Sequence, residues 1–217
     1  MRKLQKGPTE AEARPIGVKY LIGVDEVGRG PLAGPVAVGA FLVPVDFDFE
    51  YFHGVRDSKK LPPHKRENYL KLVEEKVRDG AVSYAVSFVS SHQIDKRGLS
   101  YAIKKALQTS LHKLKIKQAF IEEECLVLLD GGLKAPTKFM HQKTIIKGDD
   151  KEKVISLASV VAKVTRDHRL MKLSKKYPQY QFHINKGYGT REHLAHLLKH
   201  GPCPIHRMSF LGNFAFA

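Results

Sequence analysis

Leu21-Ile22-Gly23-Val24 runs directly into the adjacent acids Asp25 and Glu26, and the chain then turns through Gly28-Arg29-Gly30-Pro31. An apolar, β-branched stretch of this kind reads as a strand, so the acids fall where a sheet commonly opens into a site. Glycine on both sides of Arg29 lets the main chain approach a ligand closely. The acids can hold a metal, and the arginine can meet a phosphate or a sugar. An Asp-Glu pair also ends strands as a solvated cap, and Gly-x-Gly also makes an ordinary turn. The segment alone does not separate the two readings.

The 217 residues suit one full domain with a small appendage and can bury a substantial core. Lys and Arg number 37 against 22 Asp and Glu, a net charge of +15. That field attracts polyanions, with nucleic acid the leading class, although an anionic membrane surface fits the charge as well. Cys125 and Cys203 show no ligand-like spacing, so neither a structural disulfide nor a zinc site is expected. No continuous apolar run is long enough to span a membrane and Met1–Gly17 lacks the apolar core of a signal peptide, so the expected location is cytoplasmic.

Residues 1–17 read as a flexible basic leader and 18–217 as one domain. Strands are predicted over 19–25 and 36–43, joined as a wide hairpin by a turn rich in Gly and Pro. A helix follows Pro62-Pro63 and ends near Gly80, and 81–89 alternates as a strand. Residues 91–114 form two helices broken at Gly98, 125–129 a buried strand ending at Asp130-Gly131-Gly132, and 141–147 a short last strand. Val154, Leu157, Ala158, Val161 and Val164 mark one apolar face of a long helix over 151–176, and Thr190 opens a shorter helix over 191–200. Strands first, then strands mixed with helices, give an α/β fold with a mixed sheet covered by helices.

In that arrangement Asp25 and Asp130 end two strands and converge if the strands are parallel neighbours. Asp149, just before the long helix, can cap it and face the same edge. Clustered carboxylates repel one another unless cations sit among them, and Mg2+ and Mn2+ are the hard ions such oxygens favour; two-metal phosphodiester cleavage uses this donor set. Taken singly, Asp130 also reads as a turn residue and Asp149 as a helix cap. Gly28-x-Gly30-x-x-Ala33 is a poor dinucleotide fingerprint, because Pro31 removes an amide and a strand follows. No phosphate-binding P-loop and no nucleophile elbow is present. His193, His196 and His200 share one side of a helix, but no neighbouring acid or thiol completes a zinc site.

The chain from about Lys19 to Phe210 resembles ribonuclease HII, the bacterial type 2 ribonuclease H. The resemblance rests on Gly23–Val36, on Asp57-Ser58-Lys59-Lys60-Leu61, Leu129-Asp130-Gly131 and Lys147-Gly148-Asp149, and on Ala162-Lys163-Val164-Thr165-Arg166-Asp167 and Lys186-Gly187-Tyr188-Gly189-Thr190. It implies a ribonuclease H-like mixed sheet with flanking helices plus a C-terminal helical region. It implies Asp25, Glu26, Asp130 and Asp149 as catalytic ligands of Mg2+ or Mn2+, two ions in all; Asp150 is the competing neighbour of Asp149. It further implies that Gly28, Arg29, Gly30 and Tyr188 read the junction between a ribonucleotide and a following deoxyribonucleotide, and that Lys59 meets the scissile phosphate. A 2′-hydroxyl both donates and accepts, so a glycine turn can test for it. As alternatives, Tyr188 is a packed loop aromatic, Arg29 a general phosphate clamp and Lys59 part of a solvated charge run.

The implied activity is two-metal endonucleolytic hydrolysis of the RNA strand of RNA/DNA hybrids, and 5′ of single ribonucleotides in duplex DNA, leaving 5′-phosphate and 3′-hydroxyl ends. Its role would be removal of misincorporated ribonucleotides and of primers. A monomer is expected. A replication-clamp contact stays open; Phe210 and Phe214 near the end either dock on a partner or pack as a tail. Two departures stand out: Ser156–Val161 replaces an alanine-rich helix motif, read as a packing variation, and Asn185 stands where a His is usual, next to the Tyr188 turn. Competing readings are a DNA nuclease of the same fold, a silent RNA/DNA-binding module and a membrane-surface protein, the last without an evident amphipathic helix.

Overall fold

The computed structural model describes residues 15–55 and 61–212. In chain order they form β1 (Tyr20–Val27), β2 (Val36–Pro44), α1 (Pro63–Arg78), β3 (Ser83–Val89), α2 (Ser91–Arg97), α3 (Leu99–Gln118), β4 (Cys125–Asp130), β5 (His141–Ile145), α4 (Gly148–Lys151), α5 (Lys153–Lys176), α6 (Phe182–Asn185) and α7 (Arg191–His200). The strands make one sheet in the order β3-β2-β1-β4-β5. β1 pairs antiparallel with β2, and β2 with β3, while β1–β4 and β4–β5 are parallel. The mixed sheet and the wide hairpin are both present.

Alternation along the strands sorts the core into two layers. Ile22, Val24, Val38, Ala40, Val127 and Leu129 pack with Ala102, Ala106 and Leu111 of α3. Leu21, Phe41, Val43, Leu126 and Leu128 face Val154, Leu157 and Val161 of α5 and Val73 of α1. Each buried Val, Leu, Ile or Phe among them stabilises the fold by about 1.5–3 kcal/mol relative to exposure. Gly23 faces α5, and a Cβ there would lie 2.1 Å from the Val154 carbonyl oxygen, so its missing side chain is what lets α5 close on β1. A third cluster of Ala33, Leu170, Tyr180, Phe182, Leu197 and Leu211 fastens the C-terminal region to the loop after β1.

Several expected boundaries move, each because pairing decides where a strand stops. β1 continues to Val27 since Glu26 pairs with Val38 and Val27 with Ala37, so Asp25 and Glu26 lie inside the strand. β5 stops at Ile145, the partner of Asp130, and Lys147 turns into the left-handed region at φ 55°. α5 starts at Lys153, and Glu152 holds its N-cap position without a side-chain cap bond. Asp149 sits in the one-turn α4 before it, so the predicted capping role is not the one it takes. The break at Gly98 and the Thr190 cap, whose hydroxyl accepts the His193 N–H at 3.2 Å, are found as expected.

The leader lies outside the described residues up to Arg14. Cys125 is buried and Cys203 half-buried, and both are free thiols; burial pushes the Cys125 thiol up to about 12. The three histidines of α7 do not converge on one point: His193 meets His206, His196 meets the Gln181 amide, and His200 stacks against His196. Phe210 packs against the α3-side core, with the Arg207 guanidinium 5.1 Å from its ring centre, and Leu211 is buried. This is the packed-tail alternative as far as Gly212; Phe214 lies outside the described residues. Among the described residues no helix is long and apolar enough to cross a membrane.

Candidate active site

The parallel ladder between β1 and β4 ends at Val24–Leu129, so Asp25 and Asp130 are the next residues on neighbouring strands. Asp149 approaches from α4, and carboxylate oxygens of these three acids lie within 4.8 Å of one another. Asp25 and Asp149 are buried, Asp130 half-buried. Asp150 is exposed and outside the group.

Main-chain contacts hold the acids in place. Asp25 Oδ1 accepts the Glu26 N–H at 2.8 Å, and Asp130 Oδ1 accepts the Gly148 N–H at 2.7 Å. The buried Ser156 hydroxyl donates to the Asp149 carbonyl oxygen at 2.6 Å. Serine at this place in α5 therefore touches the site, which the reading of that motif as a packing variation missed.

Glu26 does not join the three-acid group. Its Oε1 accepts from Arg29 Nη1 at 2.8 Å, while its buried Oε2 has no hydrogen-bond partner. Burial raises the Glu26 carboxyl above its ordinary pKa, the Arg29 contact opposes that rise, and the Asp130 charge adds to it. An all-oxygen donor set with an unsatisfied, buried carboxylate oxygen beside it suits a hard divalent cation.

Two fully buried arginines, absent from the sequence reading as site residues, shape the loop after β1. Arg207 donates to the carbonyls of Gly28 at 2.6 Å, Arg29 at 2.8 Å and Gly34 at 3.0 Å. Arg166 donates to Pro35 at 2.9 Å and to Lys186 at 3.2 Å. Gly28 has φ +85°, and a Cβ on it would lie 2.3 Å from Arg166 Nε. Burial lowers the Arg166 guanidinium and brings Arg207 down to about 10, with the neighbouring Arg166 charge a second cause for Arg207. The signal for Arg166 was available: it falls four and eight residues after Ala162 and Ala158, a cation on a buried stripe. Arg207 has no such periodicity around it.

The Arg29 side chain is exposed, apart from its Glu26 contact, and Gly30 is exposed beside it. Tyr188 is 42% exposed. Its turn is bound to the same loop, since the Leu32 and Ala33 N–H groups donate to the Gly187 carbonyl at 2.8 and 3.2 Å. Asn185 is buried beneath that turn: its amide donates to Tyr180 O at 2.6 Å and its carbonyl accepts the Gly187 N–H at 2.8 Å. The departure from His at this position thus supports the turn. Lys59 lies outside the described residues. Beside Arg29 an open groove of about 700 Å³ runs between α3 and the loop after β4, with Lys104, Gln108, Gly132 and Lys134 on its walls.

The family model of ribonuclease HII matches residues 22–212. The ribonuclease HII of Caldicellulosiruptor bescii is 46% identical over 197 residues, covering 91% of this chain and 89% of that protein. The fold is similar to a chain of the PCNA:RNase HII complex from Archaeoglobus fulgidus, with TM-score 0.67, 22% identity and coverage of 89% of this chain and 95% of that one. It is also similar to ribonuclease H2 from Pyrococcus horikoshii OT3, with TM-score 0.61, 26% identity and coverage of 88% and 93%. With its three acids drawn together at the end of parallel strands, the chain belongs to the ribonuclease HII family of metal-dependent endoribonucleases that act on RNA/DNA hybrids.

Proposed function

We propose that this enzyme cuts the RNA strand of hybrids and also cuts 5′ of a single ribonucleotide embedded in duplex DNA, leaving 5′-phosphate and 3′-hydroxyl ends. The observation that carries this reading is a physical link. The loop bearing Gly28, Arg29 and Gly30 leaves the strand of Asp25 and is hydrogen-bonded to the turn bearing Tyr188, so chemistry and sugar recognition share one scaffold.

Asp25, Asp130 and Asp149, with Glu26 Oε2 alongside, are the residues that would hold Mg2+ or Mn2+. Two such ions, if bound, would supply activation of the attacking water and stabilisation of the leaving 3′-oxygen. The carboxylates keep those charges in register with the sheet edge. The Gly28–Gly30 main chain tests the 2′-hydroxyl of the ribonucleotide, which can donate and accept. Arg29 meets the adjoining phosphate, a charge-assisted contact, and Lys59 serves the scissile phosphate. The Tyr188 ring rests on the next sugar, where an additional hydroxyl fits poorly. Lys104 and Lys134 in the groove beside Arg29 carry the duplex backbone.

The same reading makes the enzyme a cytoplasmic monomer that removes misincorporated ribonucleotides. The Archaeoglobus relative was solved in complex with PCNA, and a replication-clamp contact is proposed here on that likeness alone. The test is end analysis of products from a hybrid and from a duplex with one ribonucleotide, each labelled at the 5′ end. Cuts leaving 3′-hydroxyl ends on both, with the second cut 5′ of the ribonucleotide, support it. Cutting of all-DNA duplexes at a similar rate would support the DNA-nuclease reading instead.

A further inference from the structure

Behind the Tyr188 turn, His193 of α7 and His206 of the following loop face each other with their Nε2 atoms 3.1 Å apart, and both are buried. The Cys203 N–H, which can only donate, lies 2.9 Å from His206 Nδ1; the Tyr188 carbonyl, which can only accept, lies 2.8 Å from His193 Nδ1. One assignment of hydrogens satisfies all three contacts. His206 carries its hydrogen on Nε2 and gives it to His193 Nε2; His193 carries its own on Nδ1 and gives it to Tyr188. His206 Nδ1 is also 3.3 Å from the Cys203 carbonyl. A hydrogen placed there would leave the Tyr188 carbonyl facing a bare nitrogen.

An extra proton on either ring would set two N–H groups against each other, so the relay requires both imidazoles neutral. Their surroundings favour that state. Tyr180 and Phe182 enclose both rings edge-on or tilted, and the titratable groups nearby are Tyr180, His196 and His200 on α7 and Cys203 in the loop. The Arg207 guanidinium, next in sequence to His206, is committed to the Gly28 and Arg29 carbonyls. Burial lowers the pKa of His193 and brings His206 down to about 4.

We propose that the His193–His206 pair is a positioning device for Tyr188: it fixes the main chain from which that ring reaches the sugar after the ribonucleotide, and so sets the preference for a ribo–deoxyribo junction over a continuous hybrid. The inference rests on the junction reading given above. The Tyr188 carbonyl also accepts the Thr190 N–H at 2.8 Å, and Asn185 holds Gly187 from the other side, so among the described residues the pair supplies the one side-chain hydrogen bond to the Tyr188 carbonyl.

The experiment compares kcat/KM on a duplex with one embedded ribonucleotide and on a continuous hybrid, for wild type, His193→Phe and His193→Asn. Phenylalanine keeps the ring and removes both nitrogens; asparagine restores a donor where Nδ1 stood. The junction-to-hybrid ratio should fall about tenfold in His193→Phe, the size of one buried hydrogen bond, and return to within about threefold of wild type in His193→Asn. Wild type failing on the embedded ribonucleotide would sink the junction reading itself. Wild type cutting it while His193→Phe keeps the wild-type ratio would overturn the positioning role alone. Nitrogen-15 NMR of the wild-type histidines gives a check that needs no variant: Nδ1–H on His193 and Nε2–H on His206 support the relay, and either tautomer reversed overturns it.

Discussion

Asp130 Oδ1 accepts the Gly148 N–H at 2.7 Å, so a carboxylate on β4 fixes the turn that delivers Asp149 to the site. One acid thereby orders another, and its charge and its acceptor function can be separated. Asp130→Asn keeps an oxygen for Gly148 and should melt within about 1 kcal/mol of wild type. Asp130→Ala loses that acceptor and should cost about 1–3 kcal/mol, read by denaturant unfolding. Equal stability for the two variants would show that the Gly148 contact does not hold the turn.

Much of this site was legible because its parts are local. The apolar run into Asp25, the strand ending at Asp130 and the Lys147-Gly148-Asp149 turn each announce themselves within a few residues, and parallel pairing of β1 with β4 does the rest. The convergence of three acids followed from that geometry. The buried Arg207 was hidden for the opposite reason. Arg207 serves carbonyls more than 170 positions earlier in the chain, and nothing in its neighbours' spacing reports a partner that distant. The same holds for His193 and His206, whose contact joins a helix to a loop across the third core cluster. Glu26 entered the group through the family resemblance; its carboxylate lies outside the three-acid cluster but close enough for the Asp130 charge to raise it.

Gly23 sets how closely α5 approaches the sheet. Gly23→Ala would push a methyl group against the Val154 main chain, which cannot rotate away, and should destabilise the fold by about 3 kcal/mol or more. Urea unfolding monitored by circular dichroism measures this. A loss under about 0.5 kcal/mol would mean that α5 does not pack on β1 at this distance.

Stability should decline on mild acidification. Both His193 and His206 have folded pKa values below the usual 6.5, so below pH 6.5 the unfolded chain takes up protons that the folded chain refuses. Stability is therefore full above about pH 6.5 and falls towards pH 4, by up to about 1.4 kcal/mol per pH unit for each histidine. Glu122, held near 2 by hydrogen bonds from Lys115 and Lys138, contributes only below its ordinary 4.5, while Glu26, raised by burial, acts in the opposite sense above it, so a histidine variant is needed to isolate the histidine part. Thermal melts between pH 6.5 and 4.5 should show a shallower slope for His206→Gln than for wild type. Parallel slopes would contradict the burial of a neutral pair.

Lys104 and Lys134 stand on the groove beside Arg29. Replacing both with Ala should weaken binding to hybrid and to junction duplex alike, and should reduce the slope of log K against log salt by about 1–2. Fluorescence anisotropy with a catalytically inactive protein measures this. An unchanged slope would place the duplex elsewhere.

If the three converging acids form a metal centre for phosphodiester cleavage, it shows in the cutting of a DNA duplex that carries one ribonucleotide. Wild-type protein with Mg2+ or Mn2+ should cut 5′ of the ribonucleotide, and a chelator should stop it. Asp130→Asn should be slower by about a thousandfold or more while still binding the duplex. A duplex that is bound but stays intact with every metal, or an Asp130→Asn protein as fast as wild type, would mean that these acids are not a catalytic metal centre.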